Sequence, residues 1–98
     1  MKPTIRHVQE TVAEHFAIDP SAMVCARLDP CNALHLPRQT AMFFARQVTG
    51  HSRSVIAYWF NRRNHTTVLH AERKVERLSA ENDRFAADLQ TIREAIGS

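Results

Sequence analysis

The hydrophobic positions of this chain recur at three- and four-residue spacing from its first turn, the period of an amphipathic helix and not the alternation of a strand. Ile5, Val8, Val12 and Phe16 form the first stripe, and the spacing predicts a helix through them. In "AIDPSAM" the chain restarts, with Asp19 placed to cap a second, short helix and Pro20 at its first position, where an N–H would have no helical acceptor. "RLDPCNALHL" has no period and contains Pro30 and Asn32, so it reads as a loop. Pro37 then opens a helix whose stripe is Ala41, Phe44, Ala45 and Val48, and which ends at Gly50, where a C-terminal cap favours glycine. No β-branched and aromatic run alternates between turn signals, so no strand is predicted. The expected fold is all-α, one compact domain of five to six helices over residues 1–98.

Further along, Ser52 is placed to cap a short helix through "RSVIAYWF", with Val55, Ile56, Trp59 and Phe60 as its apolar side. "NRRN" interrupts the apolar rhythm, and Asn64 is placed to cap a longer helix that buries Val68, Ala71, Val75 and Leu78. A short helix, a tight turn and a longer helix make a helix-turn-helix at about residues 52–79. On a helical wheel the face opposite the buried stripe carries Thr66, His70, Arg73 and Arg77, flanked by Thr67 and Lys74. The apolar rhythm then runs on through Asn82, Phe85, Leu89, Ile92 and Ile96, which has two readings. One is a single long helix with a heptad seam, a coiled-coil dimerisation module with Asn82 buried at its interface. The other, favoured because the domain would otherwise have little core, is a break near residues 79–82, with Asn82 capping a final helix at about 82–96.

Charge sharpens the picture more than composition does. With 44% hydrophobic and 23% charged residues the chain is ordinary for a globular domain, and its net charge is only +3. Yet residues 30 to 71 hold five arginines (Arg38, Arg46, Arg53, Arg62 and Arg63) and no acid. Such a stretch is a candidate anion-binding surface. In a helix-turn-helix the first turn of the second helix meets base edges, so the amide of Asn64, the imidazole of His65 and the hydroxyls and methyls of Thr66 and Thr67 suit base reading. Arg38, Arg53, Arg62, Arg63, His70 and Lys74, with Ser52 and Ser54 at a helix start, are the candidate phosphate contacts.

At these residues the chain resembles the C-terminal DNA-binding domain of the DnaA-type bacterial chromosomal replication initiators, a Trp-repressor-like helical domain. The resemblance rests on "RRNHTTVLHAERKVERL", on "LPRQTAMFFARQVTGHS" and, more loosely, on "VQETVAEHFAI". It implies that His65, Thr66 and Thr67 read bases, that Arg63 and the region of Ser52 and Ser54 hold the backbone, and that the target is a short asymmetric box. Three departures qualify it. Asn64 stands where that family has Asp, which suggests an altered box, adenine in place of cytosine. "LDPCNALHL" lacks the family's basic loop residues, which predicts weaker affinity. Asn61 and Arg62 replace turn glycines, removing easy access to positive φ.

The expected function is therefore sequence-specific binding of double-stranded DNA at DnaA-type boxes, regulating replication initiation or transcription. No G-x-x-x-x-G-K-[ST] loop is present, so no ATP hydrolysis is expected and the chain is read as a free-standing reader, not an enzyme. Met1 just before the first helix favours a small gene encoding this domain alone over a fragment. Cys25 and Cys31 read as thiols, and their spacing to His65 and His70 matches no zinc finger, so no metal or cofactor is expected. Met42 and Phe43 read as core residues, Tyr58 and Trp59 as packing residues with an edge at the surface, and His7 and His15 as partly exposed helix residues. Without an apolar run long enough for a bilayer or a signal peptide, the expected setting is the bacterial cytoplasm at the nucleoid, with no membrane or small-molecule partner. A monomer is expected; the alternative function is the dimerising helical module.

Overall fold

The structure, a computed structural model, describes residues 3–24 and 35–97. Both cysteines and most of the loop read at "RLDPCNALHL" lie outside these residues. The described residues form helices and their connections, with no strand among them. The first helix, α1 (Ile5–His15), begins at Thr4, whose hydroxyl accepts from the His7 N–H at 3.1 Å. It ends in a Schellman motif: the Ile18 N–H reaches the Ala13 carbonyl, the Ala17 N–H reaches the Glu14 carbonyl, and Ala17 takes the left-handed conformation at φ 57°. A single 3-10 turn, Pro20–Met23, follows behind Asp19, whose carboxylate accepts from the Ser21 N–H at 2.8 Å. That backbone hydrogen bond stabilises the ionised form and holds the Asp19 carboxyl below its ordinary pKa.

The second helix, α2 (His35–Thr49), includes His35 and Leu36 ahead of Pro37, an earlier start than the sequence suggested. Proline is compatible with that position because N–H groups of a first turn have no intrahelical acceptor. Gly50 follows at φ 73° and stops the helix as expected of a glycine there. Next come α3 (Arg53–Trp59), α4 (Thr66–Glu81) and α5 (Asp83–Ile96). Packing is centred on α2, which lies against α1, the 3-10 turn, α3 and α4, while α5 packs on α1 and α4. Phe44, Phe60, Met23, Ile56 and Ile92 are the largest fully buried side chains, joined by Val8, Val12, Val68 and Val75.

The apolar seam does not continue through one rod. The chain leaves the helical conformation at Asn82 (φ −137°, ψ 106°), and the Asn82 side chain accepts from the Phe85 N–H at 3.1 Å to start α5. An unbroken helix from Val68 to Ile96 would be about 43 Å long at 1.5 Å per residue. The longest extent of the molecule is 35 Å, and its radius of gyration of 12.3 Å matches a compact chain of this length. Phe85, Leu89, Ile92 and Ile96 are buried in the same core as Val68, Ala71 and Val75, so the seam is consumed within the chain. Two histidines of α1 meet α5: His7 Nε2 lies 3.2 Å from the Ile96 carbonyl and His15 Nε2 lies 3.7 Å from Asp88 Oδ1.

The apolar side expected of α3 is corrected. Ile56 and Phe60 are buried, but Val55 is 39% exposed and Trp59 43%, and Tyr58, read as a packing residue, is 80% exposed. A helix of two turns wedged against α2 and α4 buries one narrow line, here Ile56, Ala57 and Phe60. The Trp59 main chain is nevertheless tied to α1, since Gln9 Nε2 donates to its carbonyl at 3.0 Å.

Candidate nucleic-acid interface

The site is built by α3, the turn behind it and the first turn of α4. Ser52 caps α3, its Oγ accepting from the Val55 N–H at 3.3 Å. The turn begins as a second Schellman motif: the Arg62 N–H reaches the Ala57 carbonyl at 2.8 Å and the Asn61 N–H reaches the Tyr58 carbonyl at 3.0 Å. Asn61 occupies its left-handed position at φ 56°. Asparagine visits that region more readily than other residues with a Cβ, so the motif forms without a glycine. Its Nδ2 also donates to the Val24 carbonyl at 3.3 Å, anchoring the turn to the end of the 3-10 turn.

At the entry to α4, Asn64 Oδ1 accepts from the Thr66 N–H at 2.9 Å and also from the Thr66 hydroxyl. The helix itself begins at Thr66, with His65 as the flanking residue that offers no side-chain cap. Asn64 thus starts α4 through an Asx turn, and its acceptor oxygen is committed to Thr66, leaving the amide NH2 to donate outward. Asn64 and His65 are exposed, and Thr66 and Thr67 are half-buried. Val68, Ala71 and Val75, one face of the same helix, are buried, and Leu78 packs partly against the core. Arg63, His70, Ser52 and Ser54 are exposed, while Arg62 and Lys74 are half-buried.

Two arginines expected to contact phosphates are engaged within the protein. Arg38 is only 5% exposed, and its Nε donates to the Ala22 carbonyl at 2.8 Å, which ties α2 to the 3-10 turn. Position in the first turns of α2 points this long side chain inward, where its stem can pack while the head finds a carbonyl. Arg53 gives its Nε to Glu72 Oε2 at 2.7 Å. Arg46 approaches the other oxygen of Glu72 at 3.9 Å and donates from Nη1 to the His51 carbonyl at 2.7 Å. Glu72 is the first acid after the basic stretch, and the helical wheel sets it beside Ala71 and one turn beyond Val68, on the flank of the buried stripe. Among the described residues no group of three His, Cys, Asp or Glu side chains could hold a metal ion. No described helix is long and apolar enough to cross a membrane.

Residues 5–75, which contain α1 to the middle of α4, match the family model described as the bacterial dnaA protein helix-turn-helix. The chain belongs to the DnaA helix-turn-helix family. It is 39% identical over 95 residues to the chromosomal replication initiator protein DnaA of Cereibacter sphaeroides, covering 97% of this chain and 20% of that protein. To the DnaA of Caulobacter vibrioides it is 39% identical over 89 residues, with 91% of this chain and 18% of the relative covered. For Gluconobacter oxydans DnaA the figures are 38% over 93 residues, 95% and 19%. The chain therefore spans about a fifth of the length of the curated relatives it matches. In this DnaA-type fold the matched region ends within α4, and the α5 helix that completes the core lies beyond it.

Proposed function

We propose that this chain binds double-stranded DNA sequence-specifically, at boxes of the DnaA type, with the first turn of α4 in the major groove. The observation that carries this reading is the run Arg63 to Thr67, presented at the surface while the same helix buries Val68, Ala71 and Val75 behind it. A rigid buried face under a polar helix start is what a reader of base edges requires. His65 and the Thr67 hydroxyl hydrogen-bond bases, and the Thr66 methyl packs on a thymine methyl, its hydroxyl being bound to Asn64. With its oxygen committed, Asn64 donates only, which favours an acceptor such as adenine N7, guanine O6 or thymine O4 over the cytosine amine.

Arg63, with Arg62, His70, Lys74, Ser52 and Ser54, positions the duplex through its phosphates. The domain acts without hydrolysing ATP, as a monomer beside the nucleoid, and regulates replication initiation or transcription by occupying such boxes. Fluorescence anisotropy on a DnaA-box duplex and a scrambled duplex, at two salt concentrations, tests the reading. Binding to the box is expected to be at least about tenfold tighter, within the usual range of specificity ratios. His65→Ala and Thr67→Ala are each expected to cost about 1–3 kcal/mol on the box and little on the scrambled duplex. Equal losses on both duplexes would overturn base reading.

A further inference from the structure

Glu72 joins three helices through one carboxylate. It stands on α4, its side chain 13% exposed, with Arg53 of α3 2.7 Å from one oxygen and Arg46 of α2 3.9 Å from the other. Both arginines come from the stretch that contains no acid of its own, and the Arg53 side chain remains 37% exposed and that of Arg46 34%. They are within reach of solvent and so of a polyanion. Arg53 is also the first residue of α3, where a cation faces the positive end of the helix dipole; the carboxylate offsets that repulsion as well as the charge.

We propose that Glu72 is a specificity-determining residue that restrains nonspecific DNA binding by sequestering Arg53, and more weakly Arg46, away from phosphates. The inference rests on the DNA-binding reading above. Sequence-independent affinity grows with the number of phosphates a protein neutralises, and each one adds close to one unit to the dependence of log K on log salt. Selectivity is the ratio of specific to nonspecific binding, so a carboxylate that removes cations from the interface raises it without touching a base. The same ion pairs fix α3 against α4, which keeps the restraint beside the helix that reads the bases.

The test is the salt dependence of binding to the scrambled duplex, a quantity that does not depend on base reading. Glu72→Gln keeps the side-chain shape and removes its charge. It is expected to steepen the slope by about one, raise affinity for the scrambled duplex severalfold at low salt and lower the box-to-scrambled ratio. Adding Arg53→Gln to that variant is expected to return the slope to its starting value. Glu81→Gln, the same charge change at the far end of α4, is expected to leave it unaltered. A purely architectural role predicts weaker binding to both duplexes and no steepening; an unchanged or shallower slope for Glu72→Gln would overturn the proposal. Should Glu72→Gln fail to fold by circular dichroism, Arg53→Gln alone decides: an unchanged slope supports sequestration, and a slope reduced by about one shows Arg53 already on phosphates. If the wild type binds both duplexes equally, base reading fails while the slope comparison still judges Glu72.

Discussion

The arginines between residues 30 and 71 divide into two groups that the sequence does not distinguish. Arg38, Arg46 and Arg53 are turned to the protein: Arg38 to a main-chain carbonyl, Arg46 to a carbonyl and Glu72, Arg53 to Glu72. Arg62 and Arg63 sit in the turn ahead of α4, and Arg63 is exposed there. Formal charge and presented charge are therefore separate quantities. Packed against neighbouring helices, an arginine finds carbonyls and carboxylates within reach of its long stem, whereas Arg63 in the turn keeps its side chain in solvent; Arg62 beside it is half-buried and donates from Nη1 to the Asn61 carbonyl at 3.5 Å.

The largest effect is expected where the frame under both groups of arginines is removed. Phe60 is fully buried at the junction of α3 and the turn, so Phe60→Ala is expected to cost about 3–5 kcal/mol of stability in chemical denaturation. DNA binding is expected to fall with it. A cost under about 1 kcal/mol would mean that the turn does not depend on this contact. Next in size is the contrast between single arginines. Arg63→Ala is expected to weaken box and scrambled duplexes alike and lower the salt slope by about one, while Arg38→Met changes stability and leaves the slope as it was. A slope lowered by Arg38→Met would place that guanidinium on DNA and erase the division.

The smallest effect concerns the two Schellman turns, which share one backbone geometry on different residues. Ala17 at φ 57° carries the Cβ strain of the left-handed region, and Ala17→Gly is expected to raise stability by about 0.5–1 kcal/mol, partly offset by the greater freedom of glycine when unfolded. Asn61 at φ 56° tolerates the region better and holds the Val24 carbonyl, so Asn61→Gly is expected to gain less or to lose. Thermal melts of the two variants compare them directly, and an equal gain at both sites would show that the Asn61 hydrogen bond contributes nothing.

Much of the helical architecture was legible because local signals agreed. Among the described residues, Thr4 caps α1 without a preceding signal in the pattern, whereas Asp19, Ser52 and Asn82 cap where their side chains and the restart of the apolar rhythm predict. Asn64, whose position predicts a cap, initiates α4 through an Asx turn that sets the helix start at Thr66. The exposure of Val55, Tyr58 and Trp59 was not legible, because in a helix as short as α3 a stripe of two turns fits more than one rotation. Asn61 shows the same limit from the other side: the lack of a turn glycine predicts hindered access to positive φ, yet Asn61 takes φ 56° and the Arg62 and Asn61 N–H groups close the Schellman motif.

Local pattern alone predicts which segments are helices and that a polar run of Asn64 to Thr67 heads a helix with a buried stripe. Those properties depend on neighbours three or four residues apart, which periodicity and capping chemistry report directly. Only the tertiary structure decided which cations face solvent, that the heptad seam folds at Asn82 into one core, and that Glu72 gathers two arginines from other helices. Glu72 lies 19 residues from Arg53 along the chain, and a contact at that separation is set by how helices pack and not by any local pattern.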